Sequence, residues 1–516
     1  MKASEYIISK DKFNFASGLG RIHDKALETK PVTYFRDALN RFCKNKASIV
    51  AAVIIGILFL FAIIAPIASP YKVADKDELL KFARPKNQLF YDLQIPFWDG
   101  GQEKTQINEQ DFLIYQAIEQ ELGRPVIMYG EYTKNEYTYF GKPKVDYDFR
   151  FDSYYSVGAE FVTRSDEVYK DIQKFQDETG IQVILPITEP SLRPTADQDI
   201  ENADYWFLTE NVNGKTKTIL DSDGNYINIY QPNNGLDGYT STLYWEGDEK
   251  LYNYAEAKDG NMWTFRVDYI NFYIYSRHAE GNTRIQEPVF LFGADNAGKD
   301  IFTCLASGAR FSFILAILVS SVNLFVGAIY GAIEGYYGGK IDILMERFVE
   351  IIGSVPFMIV ISLLKYHLKA SHILILFISF FLTGWTGMAA RTRMQFYRFK
   401  HQEYVLVART LGASDKRIMF KHIFPNALGT LITGSVLVIP GVIFSETSLS
   451  YLNIINLNSG NLTSVGTLLA NGQSYMYENP HMMIFPAVFI SLLMLSFNLF
   501  GNGLRDAFNP SLRGTE

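Results

Sequence analysis

The stretch "EYVLVARTLGASDKRIMFKHIFPNA", Glu403 to Ala427, lies between two long apolar runs and carries four Lys and Arg residues. Its physical reading is two short helices at an angle. Val405, Ala408 and Leu411 recur on one face of the first, and Gly412 lets the chain turn. Ser414 is placed to cap the second helix, with Asp415 in its first turn, where the dipole favours an acid. Pro425 is expected to end that helix and suits the first turn of the apolar run that follows. A small-residue face on a basic segment between two apolar runs fits a groove on a partner. The alternative is a helix lying along lipid headgroups.

Outward from this loop, the apolar runs set the architecture. "ASIVAAVIIGILFLFAIIAPIAS", Ala47 to Ser69, has no charge and is long enough for ~30 Å of hydrocarbon. About 46 residues precede it, too many for a signal peptide, so it is expected to remain as an anchor. Further spans are expected near Phe311–Ile333, Ile343–Leu364, Ile373–Ala390, Ala427–Phe444 and Met483–Phe500, six in all. The third carries Glu346, Arg347 and Glu350 before its apolar part, and Pro356 is expected to bend it.

About ten Lys and Arg precede the first span and about eight lie between Arg391 and Lys421, which puts both segments and both chain ends on the cytoplasmic side. The long polar middle is then extracytoplasmic. Its excess of roughly sixteen acidic over basic residues agrees with that side, although acids contribute little to topology. The resulting plan is a cytoplasmic segment 1–46, a first span 47–69, an extracytoplasmic α+β domain 70–288, a five-span core 289–503 with a cytoplasmic loop 391–426, and a tail 504–516. Cys43 and Cys304 fall on opposite sides of the membrane and cannot pair within one chain.

The polar middle reads as a folded domain. "VDYDFRFD", Val145 to Asp152, alternates as a half-buried strand. "SDEVYKDIQKFQDETG" offers Ser165 as N-cap, Val168, Ile172 and Phe175 on one face, and Gly180 as terminator. "KTILDSDGNYINIY" reads as a hairpin turning at Asp223-Gly224. His278 is its only histidine, it has no cysteine, and it contains neither an H-E-x-x-H nor a G-x-S-x-G pattern. "DSDGN" has its glycine at the fourth position, not the sixth that a calcium loop needs, so a plain turn is favoured and no metal site is assigned.

"FGADNAGKDIF", Phe292 to Phe302, almost spells a phosphate loop, since Gly293, Gly298 and Lys299 have the G-x-x-x-x-G-K spacing. Asp300 stands where a Mg²⁺-binding hydroxyl is required and opposes the phosphates. The stretch is instead expected to shape entry to the second span.

The Glu403–Ala427 stretch resembles the EAA motif of ABC importer permeases, in which a loop helix docks on the ATP-hydrolysing subunit. Ala408, Gly412 and Pro425 match its spacing. Leu406 and Val407 replace the Glu-Ala pair, and His422 and Phe424 replace the later Ile and Leu. Glu403, one turn earlier, is a substitute for the lost acid. The wider stretch looks like the C-type permease subunit of oligopeptide and dipeptide importers. "GADNAGKDIF", "EGYYGGKID" (Glu334 to Asp342) and "GNGLRDAFNP" (Gly501 to Pro510) resemble three further segments of that family. The resemblance covers roughly residues 30–70 and 289–512 and leaves out the large outer domain.

It implies an all-α polytopic membrane protein with six transmembrane helices in the type I ABC importer permease fold, carrying an inserted α+β domain. It also implies a non-catalytic subunit in a heterodimer with a second permease, served by two ATP-binding subunits that hold ATP and Mg. An extracellular substrate-binding lipoprotein would deliver the peptide substrate, the spans would contact membrane lipid, and no nucleic acid is involved. The ATPase-coupling residues it implies are Glu403, Ala408, Gly412, Ala413, Ser414, Asp415 and Pro425. Gly293, Asp295, Gly298, Lys299 and Asp300 form the outer-face motif.

A polar group within a span is costly, so Glu446, Asn323 and Asn498 are candidates for the translocation pathway, with helix–helix hydrogen bonding as the alternative. Gly327, Gly331 and Gly335 recur every fourth residue and predict close helix packing. Two other classes remain open. An ion-coupled carrier would titrate Glu446 and Glu350 but would need an inverted repeat, of which the sequence has no convincing trace. A sensor or adhesin acting through the outer domain leaves the basic loop unexplained.

Overall fold

The computed structural model describes residues 34–185, 203–229, 244–246, 249–251, 255–258, 261–279, 281, 286–457 and 462–508. Expectations for 1–33 and 509–516 fall outside the described residues. Helix α1 (Tyr34–Lys44) leads into α2 (Lys46–Ala68), the first span, which is capped by Asn45 accepting from the Ala47 and Ser48 N–H groups.

Between the first two spans the chain builds a sheet-containing insert. Strand β1 (Gly101–Asn108), helix α3 (Glu109–Leu122), β2 (Ile127–Tyr139) and β3 (Lys142–Asp152) form an antiparallel sheet of order β1-β3-β2 with α3 packed on it. In β3 the expected alternation is realised: Tyr147, Phe149 and Phe151 are buried and meet Phe112 and Tyr115 of α3. A second layer holds β4 (Ala159–Ser165), helix α4 (Asp166–Thr179), β5 (Ile184–Leu185), β8 (Ala255–Lys258), β9 (Met262–Asp268) and helix α5 (Tyr269–Ala279), while a hairpin β6 (Thr209–Val212) to β7 (Lys215–Thr218) forms a separate two-stranded sheet tied to α3 by Gln110 and Thr218. Strand β9 pairs with β4, β5 and β8.

Helix α4 is bounded as expected by Ser165 and by Gly180 in the left-handed conformation, although the Ser165 hydroxyl makes no capping bond. The hairpin differs from expectation. Its strands turn at Asn213-Gly214, both at positive φ, and Asp223-Gly224 forms only a local turn closed by the Leu220–Tyr226 bridge. Both dipeptides are turn formers. Asn213-Gly214 has on each side a segment that pairs, and that decides between them. Ion pairs knit the layers: Arg266 is fully buried against Glu121, and Arg124 meets Asp268 at 2.6 Å.

The core resumes with α6 (Ile301–Tyr337), α7 (Gly339–Gly353), α8 (Phe357–His367) and α9 (His372–Phe399). It continues through α10 (Glu403–Thr410), the long α11 (Asp415–Tyr451), α12 (Val465–Gln473) and α13 (His481–Phe508). Five helices are long and apolar enough to cross a membrane, and α7 with α8 makes a sixth if that pair, bent by 71° ahead of Pro356, is one span. Half of the apolar stretch of α6 and of α11 is buried within the chain (50% each) against 17% of α2, so α6 and α11 form the centre of the chain's bundle and α2 lies at its edge.

The α6–α9 seam is the tightest in the core. A Cβ on Gly327, Gly331 or Gly335 would stand 2.7 Å from Trp385 O, 2.1 Å from Ala389 O and 2.8 Å from Arg393 O, so backbone meets backbone along just over two turns. Gly331→Ala is predicted to lower the thermal midpoint of the detergent-solubilised chain, at a cost of about 1–3 kcal/mol. Gly353→Ala, where nothing lies within 4 Å of the added Cβ, leaves the midpoint unchanged or higher. Equal midpoints for the two variants would count against the seam.

Candidate functional site

The loop between α9 and α11 is shorter than the basic segment 391–426, because α9 continues to Phe399 and α11 begins at Asp415. Helix α10 lies across this opening. Gly412 has φ +81° and nothing within 4 Å of its Cβ position, so it is glycine for conformation alone. Ser414 occupies the N-cap position without a side-chain bond. Asp415 accepts a 2.6 Å hydrogen bond from Tyr336 Oη at the end of α6, a tie in addition to its place in a first turn.

Two expectations are corrected here. Pro425 stands in the first turn of the segment from Phe424 as expected, but it does not end the helix before it: α11 runs through, and a π-helical segment, Ile418–Ile423, precedes it. The wider turn relieves the clash between the proline ring and the preceding carbonyls. Val405, Ala408 and Leu411 also do not share one environment. Val405 is buried with Tyr336, Phe396, Ile418 and Ile423, Ala408 is half-buried, and Leu411 is 82% exposed because α10 stops at Thr410. The exposed apolar surface of the loop is Leu406, Val407 and Leu411, beside Arg409, Lys416 and Arg417. Glu403 is exposed in the first turn of α10, and Ala413 packs partly against the Val405 cluster.

Beneath the loop sits a charge cluster that sequence reading missed. Arg393 of α9 donates to Asp342 at 2.7 and 3.0 Å and stands 3.3 Å from both Glu334 and Glu346. Tyr397 also donates to Asp342, and Lys400 Nζ donates to Gly335 O at 3.0 Å. One guanidinium therefore joins α6, α7 and α9. The signal was present in "EGYYGGKID", which holds Glu334, Tyr336 and Asp342, but their partners lie some 50 to 80 residues further on.

The polar groups within the spans separate into two environments. Glu446 is fully buried and accepts from Ser312 Oγ at 2.7 Å and Ser450 Oγ at 3.0 Å, so it ties α11 to α6. Asn323 is also buried, with its amide nitrogen 2.3 Å from where a Cβ on Gly384 would stand. Asn498 alone is exposed, on α13.

On the insert side, Phe292–Phe302 folds back on itself. Gly293 and Gly298 have φ +78° and +69°, and a Cβ on Gly298 would fall 1.7 Å from Asp77 O. Asp295 accepts from the Ala297 and Lys299 N–H groups, and Asp300 caps α6 by accepting from Phe302 N, Thr303 N and Thr303 Oγ1. Burial pushes the Asp300 carboxyl up to about 6. The Lys299 side chain is buried. The loop amides a phosphate would need are thus already engaged.

The fold is a bundle of five to six candidate spans with a short helix and turn between α9 and α11. Residues 323–514 match the family described as binding-protein-dependent transport system inner membrane component, and residues 33–85 match the N-terminal TM domain of oligopeptide transport permease C. The oligopeptide transport system permease protein OppC of Bacillus subtilis is 40% identical over 222 residues, 43% of this chain and 72% of that protein. The dipeptide transport system permease protein DppC of Lactococcus lactis is 35% identical over 268 residues, 52% of this chain and 72% of that protein. Among solved structures, a chain of the inward-facing MetNI methionine ABC transporter aligns with TM-score 0.31 and 16% identity, covering 40% of this chain and 96% of that one. The chain belongs to the permease C family of oligopeptide and dipeptide transport systems.

Removing the Glu446 carboxyl leaves Ser312 and Ser450 without their buried acceptor. Glu446→Ala is predicted to lower the thermal midpoint, with about 1–3 kcal/mol lost for each unpaired group, and Glu446→Gln to recover most of the loss. Equal midpoints for Glu446→Ala and wild type would remove the carboxyl from the packing account.

Proposed function

We propose that this chain is the transmembrane permease subunit of an ATP-driven importer of oligopeptides or dipeptides in the cytoplasmic membrane. It pairs with a second permease, and two separate ATP-binding subunits hold ATP and Mg. The observation that carries this is the divided loop: Val405 and Asp415 fasten it to the spans, while Leu406, Val407 and Leu411 face outward for a partner. Exposed apolar side chains ringed by basic ones suit a partner surface with an apolar pocket and an acidic rim.

In this reading, closure of the ATPase subunits displaces α10. Val405 presses on the Tyr336–Phe396 cluster, and the Tyr336–Asp415 bond carries the movement to α6. The Arg393 cluster keeps α7 in step with α6 and α9, so the spans move as a body. Glu403 supplies the acid for a salt bridge to the ATPase. The loop and both chain ends are cytoplasmic, following the distribution of basic residues, and the insert is extracytoplasmic, where a substrate-binding protein docks. Asn498, exposed on a span, faces the pathway or the second permease, since an amide against hydrocarbon would be costly. Glu446 and Asn323 act in packing.

Co-purification tests the assembly: two ATPase chains and one second permease are expected with this chain, and recovery of the chain alone would sink the proposal. Gly412→Pro is predicted to abolish peptide uptake with normal membrane insertion, because proline cannot adopt the positive φ. Gly412→Asn, which tolerates that conformation in open space, retains most uptake. Normal uptake by the proline variant would remove the loop from coupling.

A further inference from the structure

A cavity of about 570 Å³ lies between the insert and the turn that leads into α13. Its size falls within the usual range of small-ligand pockets. One wall comes from β1 and α3 through Ile107, Ile114 and Ile118, and the facing wall includes Phe82 and Asn479. The turn carrying Asn479 is held in place by Arg84, which donates to Glu478 O at 2.5 Å. The cavity therefore spans the junction of insert and membrane core.

Among the described residues, two polar groups in it bear on what it could hold: a half-buried ammonium with no paired carboxylate and a buried amide oxygen with no donor. The Lys104 ammonium donates to Tyr115 Oη and sits 5.0 and 5.2 Å from the Tyr115 and Phe151 ring centroids, and no carboxylate pairs with it among the described residues. Aromatic faces hold a cation in place but do not neutralise it. Asn479 is only 5% exposed, and its Oδ1 accepts no hydrogen bond. A buried acceptor without a donor costs about 1–3 kcal/mol, which a ligand N–H would recover. Glu78, Asp111 and Glu478 present exposed carboxylates to it, and Lys81 lines it as well.

We infer that this cavity binds a short peptide, with the free C-terminal carboxylate on Lys104, a backbone N–H on Asn479 Oδ1 and the α-ammonium toward Glu78 and Glu478. The apolar part of the lining accepts varied side chains, while the charged ends and the backbone supply recognition independent of sequence. The inference rests on the peptide-importer reading. It adds a substrate site on the permease chain itself, outside the spans.

The test uses the assembled membrane complex in nanodiscs without added binding protein, titrated with trialanine and with trialanine amide. The acid is expected to bind at least tenfold more tightly than the amide, the scale of one charge-assisted hydrogen bond. Lys104→Met should lose this discrimination and Lys104→Arg should keep most of it. Asn479→Leu should weaken both ligands alike. Equal binding of acid and amide by the wild type, or discrimination that survives Lys104→Met, overturns the site. Peptide uptake by cells is read separately. Uptake with no discrimination in nanodiscs removes the cavity and leaves the importer reading standing, whereas a complex that never moves peptide removes the importer reading itself.

Discussion

Backbone contact between α6 and α9 is the constraint on which the rest of the membrane core depends. Gly327, Gly331 and Gly335 let the helices approach until the α9 carbonyls occupy the space of the missing side chains. In hydrocarbon, apolar area gives no net drive for helix association, so close packing and interhelical hydrogen bonds must supply it. The seam also aligns Tyr336, Phe396 and Arg393 at one end of the pair, where the loop and α7 attach. A shift along the seam would displace the loop anchor and the charge cluster together.

The insert is joined to this core by a second rigid feature. Its first residues and its last run side by side: Ala294 N–H donates to Ala83 O at 2.8 Å, and Phe82 N–H donates to Asp295 O at 3.2 Å. Because the two ends are paired, a large domain enters between two spans without separating them. His481 contacts Ala294 O and Arg84, which fastens the junction to α13 as well. Cavity, junction and last span thus share one mechanical frame.

Much of this was legible in the sequence, where the signals are local. The spans follow from length and apolarity, the break at Pro356 from a proline that cannot continue a helix, and strand β3 from alternation. The loop was legible through Gly412, whose positive φ has no cheaper residue. Pro425 was misread because a helix can absorb a proline by widening one turn, and no residue type announces a π-helical segment. Leu411 was misread because a helical period says which residues share a face only while the helix lasts.

What the sequence by itself determined is which segments must leave water and which cannot, since that depends on composition within a window of about twenty residues. It also determined the places where only glycine or proline satisfies the backbone. Only the tertiary structure decided how the polar residues are used. Glu446 became a tie between helices, Arg393 a junction of three helices, and Lys104 and Asn479 the lining of one cavity. The cost of burying a polar group depends on the partner it finds, and those partners stand many residues away along the chain.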